Sequence, residues 1–121
     1  MMRSKWIEFN EKKIFFQDFS NMLYHSELVK KELEEVQVVV KAEPAQSVLV
    51  LSDFRNTQVG SDLIPLLDAA SRSTSGHVAR TAVLGVTGGK RILADLLTRI
   101  TGQPLQYFDD EQAAKEWLTQ K

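Results

Sequence analysis

The sequence of 121 residues contains no cysteine and only two histidines, His25 and His77. The absence of cysteine excludes disulfides, thiol catalysis and zinc sites built on cysteine. The two histidines lie far apart in the chain and show no metal-ligand spacing, so nothing in the sequence indicates a histidine-rich metal centre. We therefore expect neither a bound metal nor a cofactor.

The sequence also lacks a surplus of either charge and a long hydrophobic run. Its 15 Lys and Arg residues nearly balance 16 Asp and Glu residues, giving a net charge of −1. Nucleic-acid binding requires a basic surplus or stripe, so we expect no nucleic-acid partner. No apolar run approaches the roughly 18–20 residues that span a membrane, and Met1–Lys5 leads into a strand pattern without a signal-peptide core. These absences predict a cytoplasmic protein without a membrane span.

What is present is the composition of an ordinary soluble domain. Hydrophobic residues make up 43% of the chain and charged residues 26%. A chain of this length can bury one hydrophobic core. We expect residues 1–121 to form a single domain.

The first third of the chain predicts a hairpin followed by a helix. Trp6–Phe9 and Ile14–Phe19 are rich in aromatic and β-branched residues and flank the polar turn Asn10–Lys13, a pattern typical of an antiparallel hairpin. A helix is expected from near Ser26 and must end before Pro44. Its predicted apolar stripe consists of Val29, Leu33, Val36 and Val40.

The middle of the chain predicts a buried strand, a helix and another strand. Ser47–Ser52 is an almost continuous apolar run, as expected for a central strand that is buried on both faces. Ser61 or Asp62 is the predicted N-cap of the next helix. Val78–Val86 is the predicted strand that follows.

The last third predicts helix, strand and helix. An amphipathic helix is expected from about Gly89 to Gly102, and Leu105–Phe108 is a short strand. Asp109 and Gln112 have the spacing of a capping box, which predicts that Asp109 caps the closing helix. The order ββαβαβαβα predicts an α/β fold, a mixed and mostly parallel sheet covered by helices.

Ligands bind such sheets at the carboxyl ends of the parallel strands, where we expect three loops to converge. Asp18, Asp53 and Asn56 belong to the first two of these loops. The two aspartates have two interpretations, either a carboxylate pair for pKa tuning or cation binding, or two separate turns closed by hydrogen bonds to the backbone. We assign all three residues to a predicted ligand-binding rim.

The third loop is a glycine-rich turn that contributes Thr87, Gly88 and Lys90 to the predicted rim. Glycines, a helix start and a lysine together suit an anion such as phosphate. The full phosphate-loop pattern is not met, because Leu84 and Arg91 occupy two of its required positions. An anion site and a tight strand-to-helix turn both remain open.

Catalytic patterns are weak. The sequence contains no G-x-S-x-G elbow, and His77 has no Ser/His/Asp spacing around it. The aromatic residues fall on predicted strands and on the last helix without interleaved basic residues, which favours a core over a stacking platform. We expect that the protein is not an enzyme. If it were one, its candidate catalytic residues would be Asp18, Asp53 or His77.

Three segments resemble a group of small bacterial proteins described as STAS-like or as related to the CRAL-TRIO fold. They are KKIFFQDFS (residues 12–20), SVLVLSDFRNT (residues 47–57) and AVLGVTGGKRILADLLTRITGQPLQYFDDEQAAKEWL (residues 82–118). The resemblance implies a STAS-like α/β domain that acts through regulatory interactions rather than turnover.

The better-known relatives in this resemblance are antagonists of anti-sigma factors. They are phosphorylated on a serine in an Asp-Ser-Ser-Gly motif at the start of the helix after the central strand. The comparable place here reads Val59-Gly60-Ser61-Asp62, so only Ser61 keeps a hydroxyl, one position from the expected phosphoacceptor. Phosphorylation of Ser61 and an N-cap role for Ser61 are thus alternative hypotheses.

The sequence therefore favours a regulatory or protein-interaction module that binds its partner at the rim. The alternative is a small-ligand binder, for an anion at Thr87–Lys90 or for a lipid-like molecule. Edge strands from the N-terminal hairpin or from Leu105–Phe108 are compatible with a homodimer.

Overall fold

The computed structural model describes residues 2–85 and 104–120. Its elements, in chain order, are β1 (Lys5–Phe9), β2 (Lys12–Asp18), α1 (Ser26–Lys41), β3 (Val48–Asp53), α2 (Ile64–Thr74), β4 (Val78–Leu84), β5 (Leu105–Phe108) and α3 (Glu111–Leu118). This order agrees with the prediction. The helix predicted from about Gly89 lies outside the described residues.

The five strands form one sheet in the order β1-β2-β3-β4-β5. β1 and β2 are antiparallel, and every other neighbouring pair is parallel, which confirms the predicted mixed sheet. The hairpin turn is tighter than predicted, because only Asn10 and Glu11 form it and Lys12–Lys13 already belong to β2. Both turn residues have positive φ, 50° and 66°, as the twist of a two-residue hairpin requires.

Alternate strand residues supply two separate cores, one on each face of the sheet. In β3, Val50 points to one core and Leu51 to the other, which confirms that this strand is buried on both faces. Helices α1 and α2 cover the first face and α3 covers the second. The fold therefore has three layers.

Helix α1 buries its predicted stripe, because Val29, Leu33, Val36 and Val40 are all in the first core. It also includes the three consecutive β-branched residues Val38–Val40 and ends at Lys41. Burying one valine stabilises the fold by about 1.5 kcal/mol or more, whereas the lower helix propensity of valine costs only about half a kcal/mol. Tertiary packing therefore sets the end of α1. None of the helices within residues 2–85 and 104–120 has the length and apolar character needed to cross a bilayer.

Two predicted N-caps are wrong. Helix α2 begins at Ile64 with Leu63 as its N-cap, and no side chain caps it, so neither Ser61 nor Asp62 has that role. Leu63 is completely buried, and the gain from burying it fixes where the helix begins. Helix α3 is capped by Asp110 rather than Asp109: the Asp110 carboxylate accepts a hydrogen bond of 3.0 Å from the amide of Ala113. Asp110 has the extended backbone that an N-cap requires.

Candidate functional site

The candidate site lies where β2 and β3 end. Asp18 and Asp53 are the last residues of these parallel strands and are register partners, so the chain leaves both strands at the same edge of the sheet. We call residues 19–25 the β2 loop, residues 54–63 the β3 loop, and the two together the rim. Backbone hydrogen bonds continue between the loops from Phe19 N to Asp53 O (3.0 Å), Asn21 N to Arg55 O (2.8 Å), Leu23 N to Asn56 O (3.0 Å) and Gln58 N to Leu23 O (2.7 Å). The sheet ladder thus extends into the rim and fixes the two loops against each other.

The last residue of each strand and the first three residues of the loop after it have the same sequence, Asp-Phe-x-Asn, at residues 18–21 and 53–56. The sequence prediction missed this repeat, although the four letters are legible twice in the chain. Each aspartate accepts a hydrogen bond of 3.0 Å through Oδ1 from the amide two residues later, that of Ser20 or Arg55. The interpretation of the two aspartates as turn residues is thereby confirmed.

The second and fourth positions of the repeat pack against each other across the rim. The rings of Phe19 and Phe54 are stacked, with centroids 4.9 Å apart and planes 8° apart. Asn21 and Asn56 both adopt the left-handed conformation, with φ of 57° and 59°, which asparagine tolerates better than most residues. The side-chain amide of Asn56 donates to that of Asn21 at 2.9 Å. Asn56, a predicted ligand residue, therefore lies on the rim but already has a partner.

The side chain of Asp53 is only 3% exposed, and Arg55 neutralises its carboxylate. Arg55 donates from Nε to Oδ1 at 3.0 Å and from Nη2 to Oδ2 at 2.8 Å. The same Nη2 also contacts Glu111 of α3 at 3.1 Å, and Lys115 contacts the other oxygen of Glu111 at 2.8 Å. A line of alternating charges therefore runs from β3 to α3.

These contacts shift two pKa values. The hydrogen bond to Asp53 raises the pKa of Arg55, so its guanidinium stays charged. The hydrogen bond from Lys115 lowers the pKa of Glu111; it outweighs partial desolvation, and Arg55 adds to it. Both groups are thus held in their charged forms.

The carboxylate of Asp18 is more accessible, with 24% of its side chain exposed. Its Oδ1 accepts from the hydroxyl of Ser20 at 2.6 Å and from Nη2 of Arg3 at 3.1 Å. Asp18 and Asp53 are neighbours at the edge of the sheet, but their side-chain hydrogen bonds within the described residues go to their own loops and to separate arginines. The structure brings the two residues together without pairing their carboxylates.

Of the glycine-rich segment that follows β4, the structure describes only Gly85, which was predicted to lie in the strand Val78–Val86 but follows the end of β4 at Leu84. Gly85 has a φ of 79°, and a Cβ atom there would lie 2.6 Å from the backbone nitrogen of Arg55. This glycine is required because the β3 loop passes directly over it. Thr87, Gly88 and Lys90 lie outside the described residues, so the anion site remains a prediction.

The residues that an enzyme would use do not converge. His77 precedes β4 and lies 2.8 Å through Nδ1 from the carbonyl oxygen of Glu43, at the end of the sheet where the parallel strands begin. Asp18 and Asp53 lie where these strands end. Within residues 2–85 and 104–120, no three His, Asp or Glu side chains form a group that could hold a metal ion.

The rim and the adjoining first turn of α1 carry exposed apolar side chains that the sequence prediction did not single out. Leu23 is 54% exposed, Tyr24 is 82% exposed, and Leu28 in the first turn of α1 is 45% exposed. Leu23 has a φ of 52°, uncommon for a branched side chain, and two ladder hydrogen bonds hold it there. The signal in the sequence was the apolar run Met22-Leu23-Tyr24 between two elements. We call Leu23, Tyr24 and Leu28 the apolar patch.

Comparison with protein families identifies this architecture. A model of the SpoIIAA-like family matches residues 20–119, from the β2 loop to the residue after α3. Neither the curated proteins nor the solved structures give a significant match to the chain. The family match and the three-layer fold confirm the expected STAS-like architecture, whereas nothing found supports a relation to CRAL-TRIO proteins. Since the match covers well over half of the 121 residues, the chain belongs to the SpoIIAA-like family.

Proposed function

We propose that the protein is a non-enzymatic regulatory module that binds a protein partner through the apolar patch of the rim. Membership of the SpoIIAA-like family supports the general class, since this STAS-like family is one of regulatory domains that interact with proteins. The observation that carries the proposal is the exposure of Leu23, Tyr24 and Leu28 beside loops in which Asp53, Asn21 and Asn56 are already hydrogen-bonded.

The apolar patch has the chemistry of a protein-binding surface. Tyrosine is enriched among the residues that dominate binding energy at interfaces, and Tyr24 is 82% exposed. Leu28 follows Tyr24 by four residues, at the start of α1. The hydrogen-bond ladder between the loops holds the backbone of Leu23 in place before any partner arrives. A partner would therefore lose little free energy in ordering this surface.

The charged groups of the rim favour a protein over a small anion. Arg3 and Arg55 both carry ion pairs, with Asp18 and Asp53. Each guanidinium is therefore already paired with a carboxylate, and repulsion from that carboxylate would weaken the binding of an anion there. The small-ligand alternative therefore depends on Thr87, Gly88 and Lys90, where it stays a prediction.

Phosphorylation of Ser61 is a second hypothesis that one observation favours. Ser61 is exposed in the turn before α2, and α2 is not capped by its side chain. The structural role that competed with phosphorylation is thus removed, and the hydroxyl is accessible to a kinase. Mass spectrometry of the protein isolated from its native cells should find phosphate on Ser61, and its consistent absence would oppose the hypothesis.

The main proposal can be tested by affinity capture from extracts of the native cell, followed by binding measurements with the purified partner. The test variant is Tyr24→Ser combined with Leu28→Ser. The matched control is Val38→Ser, because Val38 is also on α1 and is 71% exposed away from the rim. We expect the double variant to bind about tenfold or more weakly than wild type, since interface anchors each contribute more than about 1 kcal/mol. The control should bind like wild type.

Two results would contradict the proposal. One is that no protein is enriched above the bead control by the wild-type chain. The other is that the captured partner binds the double variant as tightly as it binds the Val38→Ser control.

A further inference from the structure

The residues that precede β1 make a buried contact with α1. Glu32 is 4% exposed although it is a carboxylate, and Ser4 is also 4% exposed. The two oxygens of Glu32 accept hydrogen bonds from the amide of Arg3 (3.0 and 3.1 Å), and Oε2 also accepts from the amide of Ser4 (2.7 Å) and from its hydroxyl (2.5 Å). Four short contacts therefore converge on one side chain of α1.

This contact is specific rather than simply apolar. Within the described residues no basic side chain forms an ion pair with Glu32, so its partners are amide and hydroxyl groups. A buried carboxylate is strongly destabilising unless hydrogen bonds satisfy it. Glu32 lies between Val29 and Val36 on the buried face of α1, where an apolar residue would suit packing alone. Its presence there is explained by the segment of residues 2–4 that it holds.

The same segment reaches the β2 loop on its other side. The hydroxyl of Ser4 accepts a hydrogen bond of 2.9 Å from the amide of Asp18. The guanidinium of Arg3 donates to Oδ1 of Asp18 at 3.1 Å and to the carbonyl oxygen of Ser20 at 2.7 Å. Residues 2–4 thus join α1 to the point where the chain leaves β2.

We infer that residues 2–4 form a clamp, anchored on Glu32, that holds the β2 loop and thereby the apolar patch in a fixed conformation. The β3 loop does not need this clamp, because Arg55 within the loop neutralises Asp53. Displacing Arg3 and Ser4 would loosen the β2 loop and leave the β3 loop in place. The value of the clamp for partner binding rests on the proposed function, whereas its effect on the β2 loop does not.

Amide hydrogen exchange in the full chain tests the clamp. The variant Arg3→Ala removes every contact of the guanidinium with Asp18 and Ser20, and it leaves Ser4 and Glu32 unchanged. We expect the amides of Ser20, Asn21 and Leu23 to exchange about tenfold faster than in wild type, since lost hydrogen bonds favour local opening. The matched control is Arg72→Ala, which removes an ion pair with Asp68 on α2. It should leave exchange in the β2 loop unchanged.

The other half of the clamp is tested with Glu32→Gln, in which a donor faces the amides of Arg3 and Ser4. The control is Glu34→Gln, because Glu34 is exposed on the same helix. Faster exchange in the β2 loop with Glu32→Gln, and not with Glu34→Gln, would support the clamp.

Two outcomes would overturn the clamp. In the first, Arg3→Ala leaves the β2 loop as protected as in wild type. In the second, the variant accelerates exchange equally in β3 and in the β2 loop, which indicates general destabilisation. If exchange rises in the β2 loop alone while partner binding is unchanged, the clamp is supported and only its contribution to partner binding is excluded. The proposed function itself fails only if no partner is captured or if the Tyr24→Ser, Leu28→Ser variant binds as tightly as its control.

Discussion

The β2 loop and the β3 loop share the sequence Asp-Phe-x-Asn and the same backbone turn, but they are anchored in different ways. In both loops the aspartate closes the turn, the phenylalanine stacks on its equivalent, and the asparagine is left-handed. The third position differs, with Ser20 in one loop and Arg55 in the other. This one position decides which part of the fold holds each loop.

Arg55 neutralises Asp53 within its own loop and extends to Glu111, so the β3 loop is attached to α3 on the second face of the sheet. Ser20 is too short to do the same, and Asp18 instead receives Arg3 from the segment before β1. One loop is therefore anchored by a residue within it and the other by a residue far from it in sequence. The β2 loop, which also carries Leu23 and Tyr24, is therefore the loop whose conformation depends on a segment outside it, the one that contains Arg3.

The largest expected effect on stability comes from comparing Asp53→Ala with Asp18→Ala. Asp53 is buried and accepts three hydrogen bonds from Arg55, so we expect its loss to lower the free energy of unfolding by about 3 kcal/mol. Asp18 is partly exposed, so water replaces part of what it loses and about 1 kcal/mol is expected. Chemical denaturation near neutral pH measures both values. Equal losses would show that the two loops are anchored equally well.

A control for the aspartate comparison is Asp68→Ala. Asp68 forms a surface ion pair with Arg72 on α2 and lies in neither loop. Its loss should cost less than about 1 kcal/mol, as is usual for such pairs.

A smaller effect is expected at Glu111 of α3, through which Arg55 attaches the β3 loop to this helix. The variant Glu111→Gln should give a pH-dependent loss of stability. The hydrogen bond from Lys115, with a contribution from Arg55, lowers the pKa of Glu111 in the folded protein. A lowered carboxyl pKa stabilises the fold above the ordinary glutamate pKa of about 4.3, and this stabilisation is lost as pH falls through the folded pKa. Because Glu111 is 36% exposed, the loss near neutral pH should stay under about 1 kcal/mol.

Denaturation curves of wild type and Glu111→Gln across the acidic range check this expectation. The two free energies of unfolding should converge as pH falls below the ordinary glutamate value. A difference that is the same at every pH would mean that the charge of Glu111 does not anchor the β3 loop.

The sheet could be predicted from the sequence because its signals are local. The continuous apolar run that became β3 differs from the stripe of α1 in period, and each pattern fits one element. The start of α1 was also predicted correctly, at Ser26, but the N-caps of α2 and α3 were not. The local preference of Ser61 for an N-cap was overridden by the burial of Leu63, which depends on the packed core.

The location of the candidate site could be predicted from the sequence, but the contacts within it could not. The topology correctly places Asp18 and Asp53 at one edge, because parallel strands end together. The repeated Asp-Phe-x-Asn could have been found by comparing the two loops. The partners of Glu32 could not have been predicted in this way. Arg3 and Ser4 lie about thirty residues from it in sequence, and only the folded hairpin brings them to α1.

The smallest expected effect is at Leu23, where the β2 loop departs from its equivalent. Leu23 has a φ of 52°, while the equivalent residue Gln58 lies outside the left-handed region. A left-handed conformation costs a non-glycine residue about 1 kcal/mol, which offsets the similar entropic cost of introducing glycine. Leu23→Gly should therefore change the free energy of unfolding by less than about 0.5 kcal/mol, whereas Gln58→Gly should lower it by up to about 1 kcal/mol. Chemical denaturation of both variants measures the two free energies of unfolding. A greater loss for Leu23→Gly than for Gln58→Gly would mean that the Leu23 side chain stabilises the fold and is not exposed solely for binding a partner.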